Sequence, residues 1–212
     1  MTYAPARYSK EESDTAFETD VALKLVRNQG DKPWFLHVSY FRPHPPYTAP
    51  EPYNKLYHPD DVPEFRRAPS VEEEARQHPF LAFLIERNLK HSKWNAERYP
   101  RDDRSMRQLR ATYFGLMTEI DHQIGRIIGL LKETGQHDET LIVFGSDHGE
   151  QLWDHWMIGK GPHFDQCFHV PLIIRAPGVE MDPGRGSVVD HFTENVDITP
   201  TILELFGAEI PI

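Results

Sequence analysis

The run from Asp103 to Gly135 constrains this chain more than any other stretch. Met106, Leu109, Tyr113, Leu116, Met117, Ile120, Ile124, Ile127, Ile128 and Leu131 step by threes and fours. That is the period of one buried face of a single long helix. Gly135 is the natural residue to end it. An apolar stripe of this kind needs a core to lie against, so the rest of the chain must supply one. Glu11 to Asn28 offers a second helix, with Phe17, Val21, Ala22, Leu25 and Val26 at helical spacing and Gly30 as its stop.

Short apolar runs follow or precede these helices. Pro33 to Phe41 is aromatic and branched over one strand length. Thr140 to Gly145 reads as a short, fully buried strand of the kind used in parallel sheets. Val170–Ile174 and Val188–Phe192 read as further strands. Thr199-Pro200 opens a last helix, with Thr as N-cap and Pro at the first position, closed by Gly207. Alternating helices and buried strands predict an α/β architecture. Five prolines between Arg42 and Tyr53 forbid a regular element there and make a stiff loop. Ser70 to Trp94 is helical in pattern but broken by Pro79, and residues 55–101 as a whole read as a helical insertion.

Composition removes several classes of function. The chain carries 23 basic and 33 acidic side chains, a net −10, so a broad basic face for nucleic acid is not expected. A locally positive pocket for a small anionic substrate remains compatible with that balance. The single cysteine, Cys167, excludes an intrachain disulfide framework and any all-cysteine zinc site. The longest apolar run, Phe80–Ile85, is six residues, so no membrane helix is expected. Met1–Ser13 has no apolar core of a signal peptide, which makes the cytoplasm the expected location unless the native N-terminus lies upstream.

Polar residues just past the C-terminal ends of buried strands are the functional pattern of open α/β sheets. Two places fit. Asp147-His148, followed by Gly149, puts a carboxylate and an imidazole at one strand end. They are either a metal-ligand pair or an exposed turn. Lys160, between Gly159 and Gly161, either places a charge on an anionic group or is a solvated loop lysine. His155 and His163 flank this stretch and are not taken as ligands. At the other place, His44 lies between Pro43 and Pro45. It is either a pre-oriented acid or donor, or an incidental residue of a rigid turn. Cys167, just before a strand, reads as a buried inert thiol. Gly-x-Ser-x-Gly, P-loop and Gly-x-Gly-x-x-Gly signatures do not occur.

Taken together, these segments resemble the sulfatase family of the alkaline phosphatase superfamily. The resemblance rests on Phe144-Gly-Ser-Asp147-His148-Gly149-Glu150, on Gly159-Lys160, and on Phe164-Asp-Gln-Cys-Phe-His-Val170-Pro-Leu-Ile-Ile. Arg42-Pro43-His44-Pro45-Pro46 after Phe35-Leu-His-Val, and His191 to Leu203, add to it. The wording leans toward the phosphonate monoester hydrolase/phosphodiesterase branch. It runs from about Trp34 to Phe206 and is least distinctive across 55–101. It implies an α/β/α sandwich around a large mixed sheet. It also implies that Asp147 and His148 match two metal ligands, Lys160 the lysine on the transferred group, and His44 the histidine on the leaving-group side. The expected cofactor is a divalent cation, with manganese, zinc or iron favoured over calcium because His148 supplies nitrogen.

The departures shape the expectation equally. No strand ending in metal-binding acids opens the chain, and no Cys/Ser-x-Pro-x-Arg nucleophile signature occurs, so formylglycine is not encoded. Cys167 is followed by Phe-His-Val and does not match. A C-terminal subdomain is also missing. Residues 1–212 are therefore expected to be a partial catalytic domain of a hydrolase of sulfate or phosphate/phosphonate esters, inactive alone. The alternatives are a non-catalytic binding remnant and one subunit of a split enzyme. The expected partners are a small anionic ester and either a missing N-terminal segment or chain or a second copy, with neither nucleic acid nor membrane.

Overall fold

The computed structural model describes residues 3–30, 32–91, 101–161 and 163–208. The chain divides into two units, each made of separate stretches. The first is Met1–His137 with Glu150–Pro162; the second is Asp138–Gly149 with His163–Ile212.

In the first unit, helix α1 (Asp14–Gln29) starts where the Ser13 hydroxyl accepts the Ala16 amide at 3.1 Å, and it ends at Gly30. Helices α2 (Val71–Arg76) and α3 (Pro79–His91) fall inside the expected insertion. Their break is at Pro79, which opens α3 because a first-turn residue needs no intrahelical N–H partner. Residues 92–100 of that insertion lie outside the described residues. Helix α4 (Asp103–Glu133) is the long element its periodicity predicts. Asp102 caps it through the Ser105 amide at 2.9 Å, and Gly135 follows its end with positive φ.

The stripe on α4 does find a core. Met106, Leu109 and Leu116 are buried with Tyr47, Ala49, Tyr53, Leu152, Trp153 and Ile158. Each large side chain buried there contributes about 1.5–3 kcal/mol relative to exposure. Two loops thus become part of the core: the proline-rich one after Phe41, and the one leading to Lys160. Arg110 of α4 adds a buried clamp. It donates to the Leu152 carbonyl at 2.8 Å, to Asp154 Oδ1 at 2.7 Å and to the Pro63 carbonyl at 2.9 Å.

The expected strand at 33–41 is not one; the segment pairs into no sheet among the described residues. It is tied down instead by side chains. Trp34 Nε1 donates to Gln136 Oε1 at 2.9 Å, and the Tyr40 hydroxyl meets Thr19 Oγ1 at 2.8 Å. Phe35 and Phe41 stay exposed. Branched and aromatic residues mark strand preference, but a ladder also needs a partner strand.

In the second unit, β1 (Ile142–Gly145) and β2 (Leu172–Arg175) pair antiparallel, with Val143 opposite Ile174 and Phe144 opposite Ile173. This corrects the expectation of a parallel, fully buried strand at Thr140–Gly145: in β1 Ile142 and Val143 are half-buried and Phe144 is 37% exposed. An apolar run predicts burial on both faces, but says nothing of strand direction. Val188–Phe192 forms no strand and is exposed. Helix α5 is one turn (Asp165–Phe168), and α6 spans Ile198–Leu205. Asp197 precedes α6 as its N-cap, so Thr199 and Pro200 sit within its first turn rather than opening it. Pro200 fits there because first-turn N–H groups lack intrahelical partners. Gly207 ends this helix with positive φ, as expected.

Candidate functional site

Asp147 and His148 belong to the second unit, directly after β1. Their turn is held from three sides. Ser146 Oγ donates to the His148 carbonyl at 2.8 Å, Asn195 Nδ2 donates to the Ser146 carbonyl at 2.9 Å, and the Gly149 amide donates to the Cys167 carbonyl at 2.8 Å. Glycine is required at 149 because a Cβ would lie 2.0 Å from the Gln166 carbonyl oxygen. Cys167 is buried and, through its backbone, straps this turn to α5.

His148 Nδ1 lies 2.8 Å from the Gly149 carbonyl oxygen. A carbonyl only accepts, so Nδ1 carries the proton, and in the neutral ring Nε2 carries the lone pair. Nε2 lies 3.4 Å from Asp147 Oδ2. Two donors sharing one cation at bond lengths of about 2.1 Å stand roughly 3–3.5 Å apart. The pair therefore fits a divalent cation, with the tautomer fixed by a backbone carbonyl as is usual for ligating histidines. Among the described residues no group of three or more His, Cys, Asp or Glu is placed to hold a metal. Two donors do not close a metal site by themselves.

His44 and Lys160 belong to the first unit. His44 Nδ1 lies 2.8 Å from the Pro45 carbonyl oxygen, and because a carbonyl only accepts, Nδ1 donates. Its ring packs on Phe41, centroids 4.4 Å apart. The buried Arg42 guanidinium spans this loop from within. It donates to the carbonyls of Pro46 at 3.1 Å and Thr48 at 3.2 Å, and it also reaches Tyr8 and Asp14. Lys160 is exposed at the end of a loop whose preceding residue, Gly159, has φ +92°, a conformation that favours glycine.

Between Glu150 and Gly159 the chain makes an uncommon turn. Leu152, Trp153, His155 and Trp156 all have positive φ, each costing on the order of 1 kcal/mol. Arg110 holds Leu152 and Asp154 as above. His155 Nδ1 pairs with the buried Glu74 carboxylate at 2.8 Å, and Trp156 Nε1 donates to the Ala68 carbonyl at 3.0 Å. The Arg67 guanidinium lies 3.7 Å over the Trp156 ring. His155 is thus engaged by the Glu74 carboxylate.

Sequence reasoning overlooked Arg42 and Glu150 as supports. Both sit inside the recognised segments, one next to Pro43-His44 and one three residues after Asp147. Their adjacency was the available signal.

A family model described as Sulfatase matches residues 2–208. The chain is 42% identical to the multifunctional alkaline phosphatase superfamily protein PehA of Trinickia caryophylli, over 99% of this chain and 41% of that protein. It is 33% identical to an arylsulfatase of Clostridium perfringens, over 88% of this chain and 37% of that one. Among solved structures, the phosphonate monoester hydrolase SpPMH from Silicibacter pomeroyi superposes with a TM-score of 0.88 at 43% identity, over 100% of this chain and 41% of that chain. The phosphonate monoester hydrolase of Agrobacterium radiobacter gives 0.84 at 40% identity, over 97% and 41%. The chain thus spans 37% to 41% of the length of these relatives.

Proposed function

The chain belongs to the sulfatase family and carries an incomplete alkaline-phosphatase-like α/β fold, and from that premise we propose that it supplies the later part of a metal-dependent hydrolase of sulfate or phosphate/phosphonate esters. The observation that carries this reading is the donor pair of His148 Nε2 and Asp147 Oδ2, 3.4 Å apart with Nδ1 committed to a carbonyl. In this reading Asp147 and His148 hold a divalent cation. When bound, it would polarise the ester's anionic group as a Lewis acid. The nitrogen donor favours manganese, zinc or iron over calcium. Lys160 offsets charge on the same group as it develops. His44, protonated at Nε2, donates to the departing oxygen.

The nucleophile is proposed to come from outside these 212 residues, on a further segment or a partner chain, since no Cys/Ser-x-Pro-x-Arg sequence occurs here. The isolated chain is accordingly expected to bind manganese and to hydrolyse neither 4-nitrophenyl sulfate nor a phenylphosphonate ester. Calorimetric titration with Mn²⁺ should show affinity lowered at least about tenfold in Asp147→Asn and His148→Ala. Equal affinity in all three proteins refutes the ligand assignment. Turnover by the isolated chain that disappears in His148→Ala refutes the external nucleophile.

A further inference from the structure

We infer that Glu150 is a positioning residue that fixes the His44 loop and the Lys160 loop to one another. The inference deepens the reading above, since it rests on those two loops serving one substrate. Glu150 Oε2 accepts the Tyr47 hydroxyl at 2.9 Å. Tyr47 is fully buried and lies three residues after His44. Glu150 Oε1 accepts the Leu152 amide at 3.4 Å and also the amide of Gly159, the residue before Lys160. One carboxylate thus gathers a donor from each loop on its two coplanar oxygens.

The surroundings make each loop rigid up to that joint. Arg42 holds the Pro46 and Thr48 carbonyls on one side. On the other, Asn88 brackets Ile158, accepting its amide at 3.2 Å and donating to its carbonyl at 2.6 Å, while the Gln151 amide donates to the Gly159 carbonyl at 3.2 Å. Tyr47, Leu152 and Ile158 already share the core. Apolar packing alone holds such loops together at less desolvation cost than a half-buried carboxylate. What the carboxylate adds is direction. Hydrogen bonds to it fix the Gly159 amide, and hence the start of Lys160, relative to the chain just past His44.

The chemistry predicts which replacements matter. Glu150→Ala removes every acceptor. Glu150→Gln keeps Oε1 for the two amides and offers Nε2 as a donor to the Tyr47 oxygen, so it retains the joint without charge. Tyr47→Phe removes one donor and leaves the core intact.

Amide hydrogen exchange on the 212-residue chain reads the joint directly. Exchange at Gly159 and Leu152 is expected to quicken about tenfold or more in Glu150→Ala and measurably in Tyr47→Phe, to stay near wild type in Glu150→Gln, and to leave α4 unchanged. If Glu150→Ala fails to fold, Tyr47→Phe and Glu150→Gln decide. Unaltered exchange at Gly159 in Tyr47→Phe, or a Glu150→Gln protein as loosened as Tyr47→Phe or more, overturns the inference. Phenylphosphonate titration separates it from the reading beneath. Binding that weakens about tenfold in Glu150→Ala and recovers in Glu150→Gln supports both. No binding by wild type, together with the expected exchange pattern, sinks the anion role of Lys160 and leaves the joint standing.

Discussion

Glu119 offers the sharpest test of how this structure stores free energy. It sits on α4 with no solvent exposure, and neither carboxyl oxygen has a hydrogen-bond partner among the described residues. The nearby Ser13 hydroxyl is committed to the Lys10 carbonyl at 3.0 Å. Burial pushes the Glu119 carboxyl above its ordinary range and Asp14 adds to this, while the Arg42 charge pulls it back only in part. Below about pH 4.3 the group is protonated in both folded and unfolded chains and has no effect on the slope. As pH rises past that value, the unfolded chain releases its proton and the folded chain keeps it. Stability then falls by up to about 1.4 kcal/mol per pH unit until the folded carboxyl ionises. Glu119→Gln removes this contribution. The assay is urea denaturation across pH 4 to 8, followed by tryptophan fluorescence. All four tryptophans, Trp34, Trp94, Trp153 and Trp156, fall in the residue ranges of the first unit and the second holds none, so the signal reports the unit that contains Glu119. Glu18 is shifted upward too, by burial, so the diagnostic quantity is wild type minus variant. That difference should be flat at the acid end and grow against wild type above it. Parallel curves across the whole range would show that Glu119 ionises normally in the fold and refute the reasoning.

Two further outcomes are expected. Arg110→Ala leaves Asp154 without its charge partner in a buried site, both side chains being 10% exposed or less; the first unit should lose about 3–5 kcal/mol in the same urea assay. Exposed Ile173 and Ile174 on the two-stranded sheet, with Val188 and Phe192, should make the isolated chain self-associate. Light scattering should show a higher onset concentration for Ile173→Lys than for wild type, and no difference would mean that this surface is not the sticky one.

How much of this was legible in the sequence follows the range of the forces involved. The α4 helix was, because Met106 to Leu131 repeat a local period and Asp102 and Gly135 cap and stop it locally. The strand end at Gly145 was found and the second strand was placed at Val170–Ile174, one residue short of its end, but not the antiparallel pairing of Val143 with Ile174, which depends on a partner 31 residues away. Pro33–Phe41 has strand composition and no ladder, because composition carries preference and not pairing. The chemistry-bearing residues were legible as motifs. The order within them was not: that Glu150 meets Tyr47, 103 residues earlier, and that His148 spends Nδ1 on its neighbour's carbonyl, are facts of the folded chain.

The two units interleave along the chain, which passes between them at 137/138, 149/150 and 162/163. No single cleavage can therefore yield two fragments that each hold one whole unit. A cut before residue 138 strips Leu152, Trp153 and Ile158 from the first core, and a cut after 149 parts β1 from β2. Any attempt to express the halves as independent modules must rewire the chain by permutation, and a protease that nicks a linker will unmake a unit rather than release one.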